Sequence, residues 1–334
     1  SSVTIKPASG TSAVADFGKA TYTAEGTYEY TVKETKGSLG GIDYDTTEYT
    51  VVVEVKDNGA GQLVATKTIK VGKDTKSGIV FTNPYTTKPA VEPLGATKTI
   101  TGRSFQEGDS FTFTVTPKAG APAFSNPSVT IEPESGSTAN VDFGSATFNA
   151  IGTYEYTVKE TKGSIGGIDY DETEYTVTVS VVDNGDGTFN ISKTIKVGKD
   201  TKTAITFNND YSAEGETPLG ATKSITGRDF KSGDSFNFTV TPVDGAPAFS
   251  KPSVTVEPES GSSVAVDFGT AKFTAEGDYK YTVKETKGSI GGIDYDETEY
   301  TVVITATDNL DGTFSFSKSY KVGKDAKNAI TFTN

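Results

Sequence analysis

Gly152–Glu160, GTYEYTVKE, alternates strictly, and the chain runs on from it through YTVKETKGSIGGIDYD (Tyr156–Asp171). In an extended chain Tyr154, Tyr156, Val158 and Glu160 share one face, because successive side chains of a strand point to opposite sides. Three large apolar bodies predict that this face looks into a core, and its fourth member is a carboxylate. Gly166-Gly167 reads as a turn. The stretch Tyr156–Asp171 recurs as Tyr30–Asp45 and as Tyr281–Asp296, changed only at Leu39. Self-similarity at such an interval predicts a tandem array of one domain.

Working outward, Glu34, Glu160 and Glu285 recur at intervals of 126 and 125 residues. Asn83, Asn209 and Asn334, each closing a Phe-x-Asn triplet, keep the same intervals. The expected organisation is a partial repeat over residues 1–83 and complete repeats over 84–209 and 210–334. Residues 84–91 (PYTTKPAV) and 210–216 (DYSAEGE) have linker composition and are short, which predicts neighbouring domains with little slack. The first repeat is 43 residues shorter than the second, and Ser1 aligns with Pro127. With no Met anywhere, the chain is expected to be a piece of something larger.

Within the second repeat, alternating runs rich in Thr, Val, Tyr, Phe and Ile predict strands at Phe111–Val115, Thr153–Glu160, Tyr175–Val181 and Thr188–Ile195. No stretch of ten or more residues carries a helical period. About 120 residues with many short strands predicts an all-β, immunoglobulin-like sandwich, here in a linear array.

Composition excludes whole classes of function. The 334 residues contain no Cys, His, Met or Trp. Disulfides, thiolate nucleophiles and Ser-His-Asp or Cys-His catalysis are therefore ruled out, and so are Cys- or His-ligated metals. A net charge of -13 argues against nucleic acid and anionic membrane surfaces. Apolar content of 34% and no long apolar run predict a globular chain without membrane insertion.

Strand parity singles out three polar residue types on apolar faces. Lys98 shares a face with Ala96 and Ile100, and Asn209 shares one with Ile205 and Phe207. Lys223, Glu285 and Asn334 repeat the pattern, and the Lys-to-Asn separation is 111 residues in both complete repeats. The first repeat keeps Glu34 and Asn83 without a matching Lys, which is expected upstream of Ser1. Burial pushes such groups toward their neutral forms. A neutral Lys amine is a nucleophile, and a neutral Glu is expected to donate a hydrogen bond to the Asn side-chain carbonyl and polarise it. Attack on that carbonyl, with Glu shuttling the proton, forms a Lys–Asn amide and releases ammonia. The plainer reading stays open: an edge-strand guard or snorkelling amine for Lys, a cap or turn group for Glu or Asn.

At these residues the sequence resembles a known family. Lys98 in ATKTITGRSFQEGDSFTFTV, Glu160 in GTYEYTVKETKGSIGGIDYDETEYTVTV and Asn209 in AITFNN are similar to the pilin isopeptide-linkage domains of Gram-positive surface proteins, which include the streptococcal T-antigen backbone pilin. The resemblance spans both complete repeats and the partial one. It implies an inverse-immunoglobulin, CnaB-like sandwich with a spontaneous bond joining first and last strands. By that carry-over Lys98 bonds to Asn209 with help from Glu160, and Lys223 to Asn334 with help from Glu285, while Glu34 and Asn83 stay unlinked. No LPxTG-like sorting signal is visible, so attachment to a cell wall would belong to a parent protein.

Other candidates rank lower. Asp183-Asn184-Gly185-Asp186-Gly187 lacks calcium-loop spacing and reads as a hairpin turn. Asp169, Asp171, Glu172 and Glu174 could bind a hard cation but read better as a solvated loop, so no metal and no cofactor is expected. Paired carboxylates without aromatic platforms make a poor glycosidase. The leading expectation is a structural stalk of a surface adhesin or pilus, not an enzyme, located outside the cell. Its expected partners are neighbouring repeats, other pilin or adhesin subunits, and host ligands met through the parent. The alternative is a multivalent module whose repeats bind host glycan or matrix protein.

Overall fold

The computed structural model describes residues 1–334, and the chain forms strands and turns without a helix. Two compact units are present. One comprises Ser1–Ala90 with Phe148–Gly152 and Ser180–Ser192; the other comprises Val91–Thr147, Thr153–Val179 and Lys193–Asn334.

The first repeat contributes β1 (Gly26–Lys33), β2 (Glu48–Asp57), β3 (Leu63–Val71) and β4 (Asp74–Lys76), an antiparallel sheet in sequence order. The second contributes β5 (Ala90–Thr101), β6 (Phe111–Pro117), β7 (Ser128–Ile131), β8 (Thr138–Phe148), β9 (Gly152–Thr161), β10 (Ile168–Asp169), β11 (Glu174–Asp183), β12 (Phe189–Val197), β13 (Asp200–Lys202) and β14 (Thr206–Tyr211). They form one sheet ordered β10-β14-β5-β8 and another ordered β13-β12-β11-β9-β6-β7. The third contributes β15 (Gly215–Ser224), β16 (Phe236–Pro242), β17 (Ser253–Val256), β18 (Ser263–Phe273), β19 (Gly277–Thr286), β20 (Glu299–Asp308), β21 (Phe314–Val322), β22 (Asp325–Lys327) and β23 (Thr331–Thr333). Its sheets run β18-β15-β23 and β17-β16-β19-β20-β21-β22. The four strands expected in the second repeat are β6, β9, β11 and β12. Both stretches of linker composition run into strands: Ala90 and Val91 open β5, Asp210 and Tyr211 end β14, and Gly215 and Glu216 open β15.

Alternation builds these sandwiches. Along β11 the buried set is Tyr175, Val177, Val179 and Val181, and along β6 it is Phe111, Phe113 and Val115. The inner faces of the third repeat meet in a core that includes Phe236, Phe238, Phe268, Tyr281, Val302, Ile304 and Phe332. Asp183–Gly187 is the hairpin between β11 and β12. Asp183 accepts the Gly185 N–H and Asp186 accepts the Thr188 N–H, so the turn occupies its own carboxylates.

In both complete repeats the first and last strands are neighbours and parallel. Lys98 on β5 lies opposite Phe207 on β14, and Lys223 on β15 opposite Phe332 on β23. Ser1–Glu25 of the first repeat holds no strand. Its counterparts β7 and β8 lean on β6 and β5, which the first repeat lacks. Phe17 is accordingly 47% exposed, whereas its counterpart Phe143 is fully buried.

Candidate functional site

Lys98, Glu160 and Asn209 meet inside the second repeat. The parallel register places Asn209 opposite Ile100, two residues along the same face from Lys98. Glu160, opposite Phe113 on the other sheet, looks across the sandwich at both. The Lys98 Nζ donates to Glu160 Oε2 at 2.9 Å, and the Asn209 Nδ2 donates to Glu160 Oε1 at 2.8 Å. The Lys98 and Glu160 side chains are wholly buried, and so is Asn209. The ring of Phe111 lies 5.1 Å from the Lys98 amine.

Burial pulls the Lys98 amine below the ordinary lysine range, against the opposing pull of Glu160. Burial likewise pushes the Glu160 carboxyl up, against hydrogen bonds from Lys98 and Asn209. Both directions favour moving one proton from the amine to the carboxyl. Such a transfer would replace two buried charges with a neutral amine and a neutral acid and remove most of the desolvation penalty.

The asparagine is oriented by a group that strand parity does not reveal. The Asp171 backbone N–H donates to Asn209 Oδ1 at 2.8 Å. A backbone N–H has only a proton to offer, so the oxygen must face Asp171 and the amide nitrogen must face Glu160. This differs from the expectation that Glu160 bonds the Asn carbonyl: that oxygen faces the Asp171 N–H, and Glu160 faces the amide nitrogen. The Asp171 carboxylate holds its loop in place by accepting the Thr173 and Asn208 N–H groups at 2.9 and 2.8 Å.

The third repeat reproduces the constellation. Lys223 donates to Glu285 at 2.9 Å, Asn334 donates to Glu285 at 3.0 Å, and the Asp296 N–H donates to Asn334 Oδ1 at 2.8 Å. Burial again lowers the lysine, Lys223. In the first repeat Asn83 donates to Glu34 Oε1 and accepts the Asp45 N–H, both at 2.8 Å. Glu34 Oε2, which corresponds to the oxygen that receives a lysine in the other repeats, is buried and has no partner. Asn83 is exposed, unlike Asn209, because no first strand covers it.

Two further pairs escaped the reading of strand parity. Arg103 makes a two-pronged ion pair with the buried Asp109 at 2.7 and 2.8 Å, and Arg228 does so with Asp234 at 2.7 and 3.0 Å. The repeated Thr-Gly-Arg with Gly-Asp five residues later was the available signal. The acidic residues near Asp171 do not converge: Glu172 pairs with Lys162 at the surface, and Asp169 lies on β10.

Residues 1–86, 94–212 and 219–334 match the family described as FctA, Spy0128-like isopeptide containing domain. No curated protein matches the chain. Among solved structures the chain is similar to the major pilin of Streptococcus pyogenes, at 21% identity over 72% of this chain and 97% of that one, with a TM-score of 0.33. The T-13 major pilin of the same species gives 20% identity over 75% and 99%, with a TM-score of 0.31. The pilus adhesin SpaC of Lactobacillus rhamnosus GG, in its open conformation, gives 13% identity over 92% and 43%, with a TM-score of 0.21.

Proposed function

The chain belongs to the FctA family of Spy0128-like isopeptide-containing domains, and from that premise we propose that it is shaft material of a pilus or surface adhesin whose complete repeats crosslink themselves. The repeats are residues 1–83, 84–209 and 210–334, displayed outside the cell and serving a structural rather than a turnover role. Their partners are neighbouring repeats and other pilin subunits.

The observation that carries this reading is the buried contact of Lys98, Glu160 and Asn209, repeated by Lys223, Glu285 and Asn334. The neutral Lys98 amine attacks Cγ of Asn209, whose oxygen gathers negative charge against the Asp171 N–H. Glu160 gives its proton to the departing Asn209 nitrogen and takes one from the attacking amine. The Cγ–Nδ2 bond breaks, a Cγ–Nζ bond forms, and ammonia leaves. The reaction consumes its own side chains and needs no cofactor. Its acceleration comes from holding the groups in place.

Intact-mass measurement tests the proposal. A chain lighter than its sequence by two ammonias, with fragmentation locating Lys98–Asn209 and Lys223–Asn334, is the expected result. A mass equal to that of the sequence overturns it.

A further inference from the structure

Each repeat that is followed by another has a tyrosine two residues after its closing asparagine, Tyr85 and Tyr211. Tyr85 donates to Asp183 at 2.7 Å and accepts the Gly187 N–H at 3.0 Å. Tyr211 donates to Asp308 at 2.6 Å and accepts the Gly312 N–H at 3.0 Å. Both times the partner is the Asp-Asn-x-Asp-Gly hairpin of the following repeat.

That hairpin also lies backbone to backbone against the Gly-Gly pair of the preceding repeat. A Cβ on Gly40 would stand 2.0 Å from the Asp186 carbonyl oxygen, and one on Gly166 would stand 2.1 Å from that of Asp311. On Gly41 and Gly167 it would meet Gly187 Cα at 2.7 Å and Gly312 Cα at 2.6 Å. Lys88 and Glu214 add backbone hydrogen bonds to Gly187 and Gly312, at 2.9 and 3.1 Å. Any side chain at these glycines drives two backbones apart.

The third repeat carries the receiving half of this arrangement uncovered. Residues 287–302 repeat 162–177 without a change, yet a Cβ on Gly291 or Gly292 would meet nothing within 4 Å. Gly102, whose Cβ would lie 2.1 Å from the Tyr211 carbonyl oxygen, has an open counterpart in Gly227. Arg103 stacks on the Tyr211 ring at 4.9 Å and its side chain is 4% exposed; Arg228 stacks on nothing and is 31% exposed. Gly291 adopts no left-handed backbone that would call for glycine, so the third repeat on its own has no need of one there.

We propose that Gly227–Arg228 and Gly291–Gly292 form a docking surface for a further copy of this repeat, which enters with its Asp-Asn-x-Asp-Gly hairpin. Both internal junctions hold that hairpin on the counterparts of Gly291–Gly292, and the second also holds Tyr211 over the counterparts of Gly227–Arg228, which identifies the occupant. A tyrosine ring over Arg228 and a hairpin backbone against Gly291 complete the fit. The inference does not depend on the Lys–Asn bonds, and loss of those bonds leaves it standing.

The test joins a second copy of Asp210–Asn334 after Asn334 of the intact chain and follows amide hydrogen exchange by mass spectrometry. In the original chain Gly166–Gly167 should exchange slowly and Gly291–Gly292 fast. In the extended chain Gly291–Gly292 should slow by about tenfold or more, and Gly291→Val should restore fast exchange there while leaving the original chain unaffected. Unchanged fast exchange at Gly291–Gly292, with the added repeat's own core protected, overturns the proposal. If the added copy does not fold, Gly166→Val in the original chain decides. Faster exchange at Gly312 supports the lock, and an unchanged rate overturns it.

Discussion

The Asp171 backbone N–H donates to the side-chain oxygen of Asn209 across 2.8 Å, and Asp296 repeats this at Asn334. In the proposed reaction a donor fixed there would meet charge that develops only as the amine attacks. Replacing Asp171 by Ala keeps the N–H and should preserve both ammonia losses. Replacing it by Pro removes the donor and should slow formation of the Lys98–Asn209 bond by roughly 10²–10³-fold. Timed intact-mass measurements after refolding separate the two variants.

Glu160→Ala and Asn209→Ala should each leave a deficit of one ammonia, but they should differ in stability. Losing a crosslink that closes about 110 residues costs roughly 4–5 kcal/mol on the loop-entropy account. Asn209→Ala keeps the buried Lys98–Glu160 pair, whereas Glu160→Ala strands a wholly buried amine. Glu160→Ala should therefore be the less stable of the two by about 1–3 kcal/mol, the cost of a buried polar group left without a partner. Thermal unfolding of the second repeat in both variants checks the order.

Glu34 accepts from Asn83 through Oε1, and its buried Oε2 has no partner. Glu34→Ala should leave the mass deficit of the chain unchanged. It should also cost the first repeat no more than about 1 kcal/mol, because the side chain's bond is with the exposed Asn83 and its second oxygen has no partner to lose. A smaller mass deficit would show that Glu34 takes part in a bond.

Asp234, buried beside Arg228, is held below the ordinary carboxylate range chiefly by that guanidinium. A carboxyl with a depressed folded value stabilises above its unfolded value, near 4, and loses that contribution as pH falls through the folded one. The gap in melting temperature between the wild type and Asp234→Asn should be widest near neutrality and should close as pH falls below about 4. Calorimetry across that range tests the sign.

Pulling on the ends of the chain should extend only residues outside the crosslinked spans. The second and third repeats should give no unfolding step, and the first repeat should give one. Asn209→Ala should add a step of about 3.5 Å per residue across the 111 residues that separate it from Lys98. Optical-tweezer traces distinguish these patterns.

Side-chain parity made Lys98, Glu160 and Asn209 legible because each sits in a run whose other members are plainly apolar. It left Asp171 invisible, because what matters there is a main-chain N–H that every residue but proline carries. Gly166 and Gly167 were legible as a turn, but the reason for glycine lies in a backbone more than a hundred residues away, at Asp311 and Gly312. Arg103 and Asp109 recur as Arg228 and Asp234, yet nothing local marks such a pair as buried rather than solvated. The first repeat broke the parity rule at Asn83, since a face is buried only when something covers it.

Parallel pairing of the first and last strands of a repeat has a consequence for damage. If Lys98 is joined to Asn209 as proposed, the covalent path through the chain runs from one side chain directly to the other, and residues 99–208 hang from it as a closed ring. A protease that nicks an exposed turn such as Gly198–Lys199 would then open the ring but leave the chain in one piece. In the proposed crosslinked state, the loops of each complete repeat can thus be cut without parting the chain.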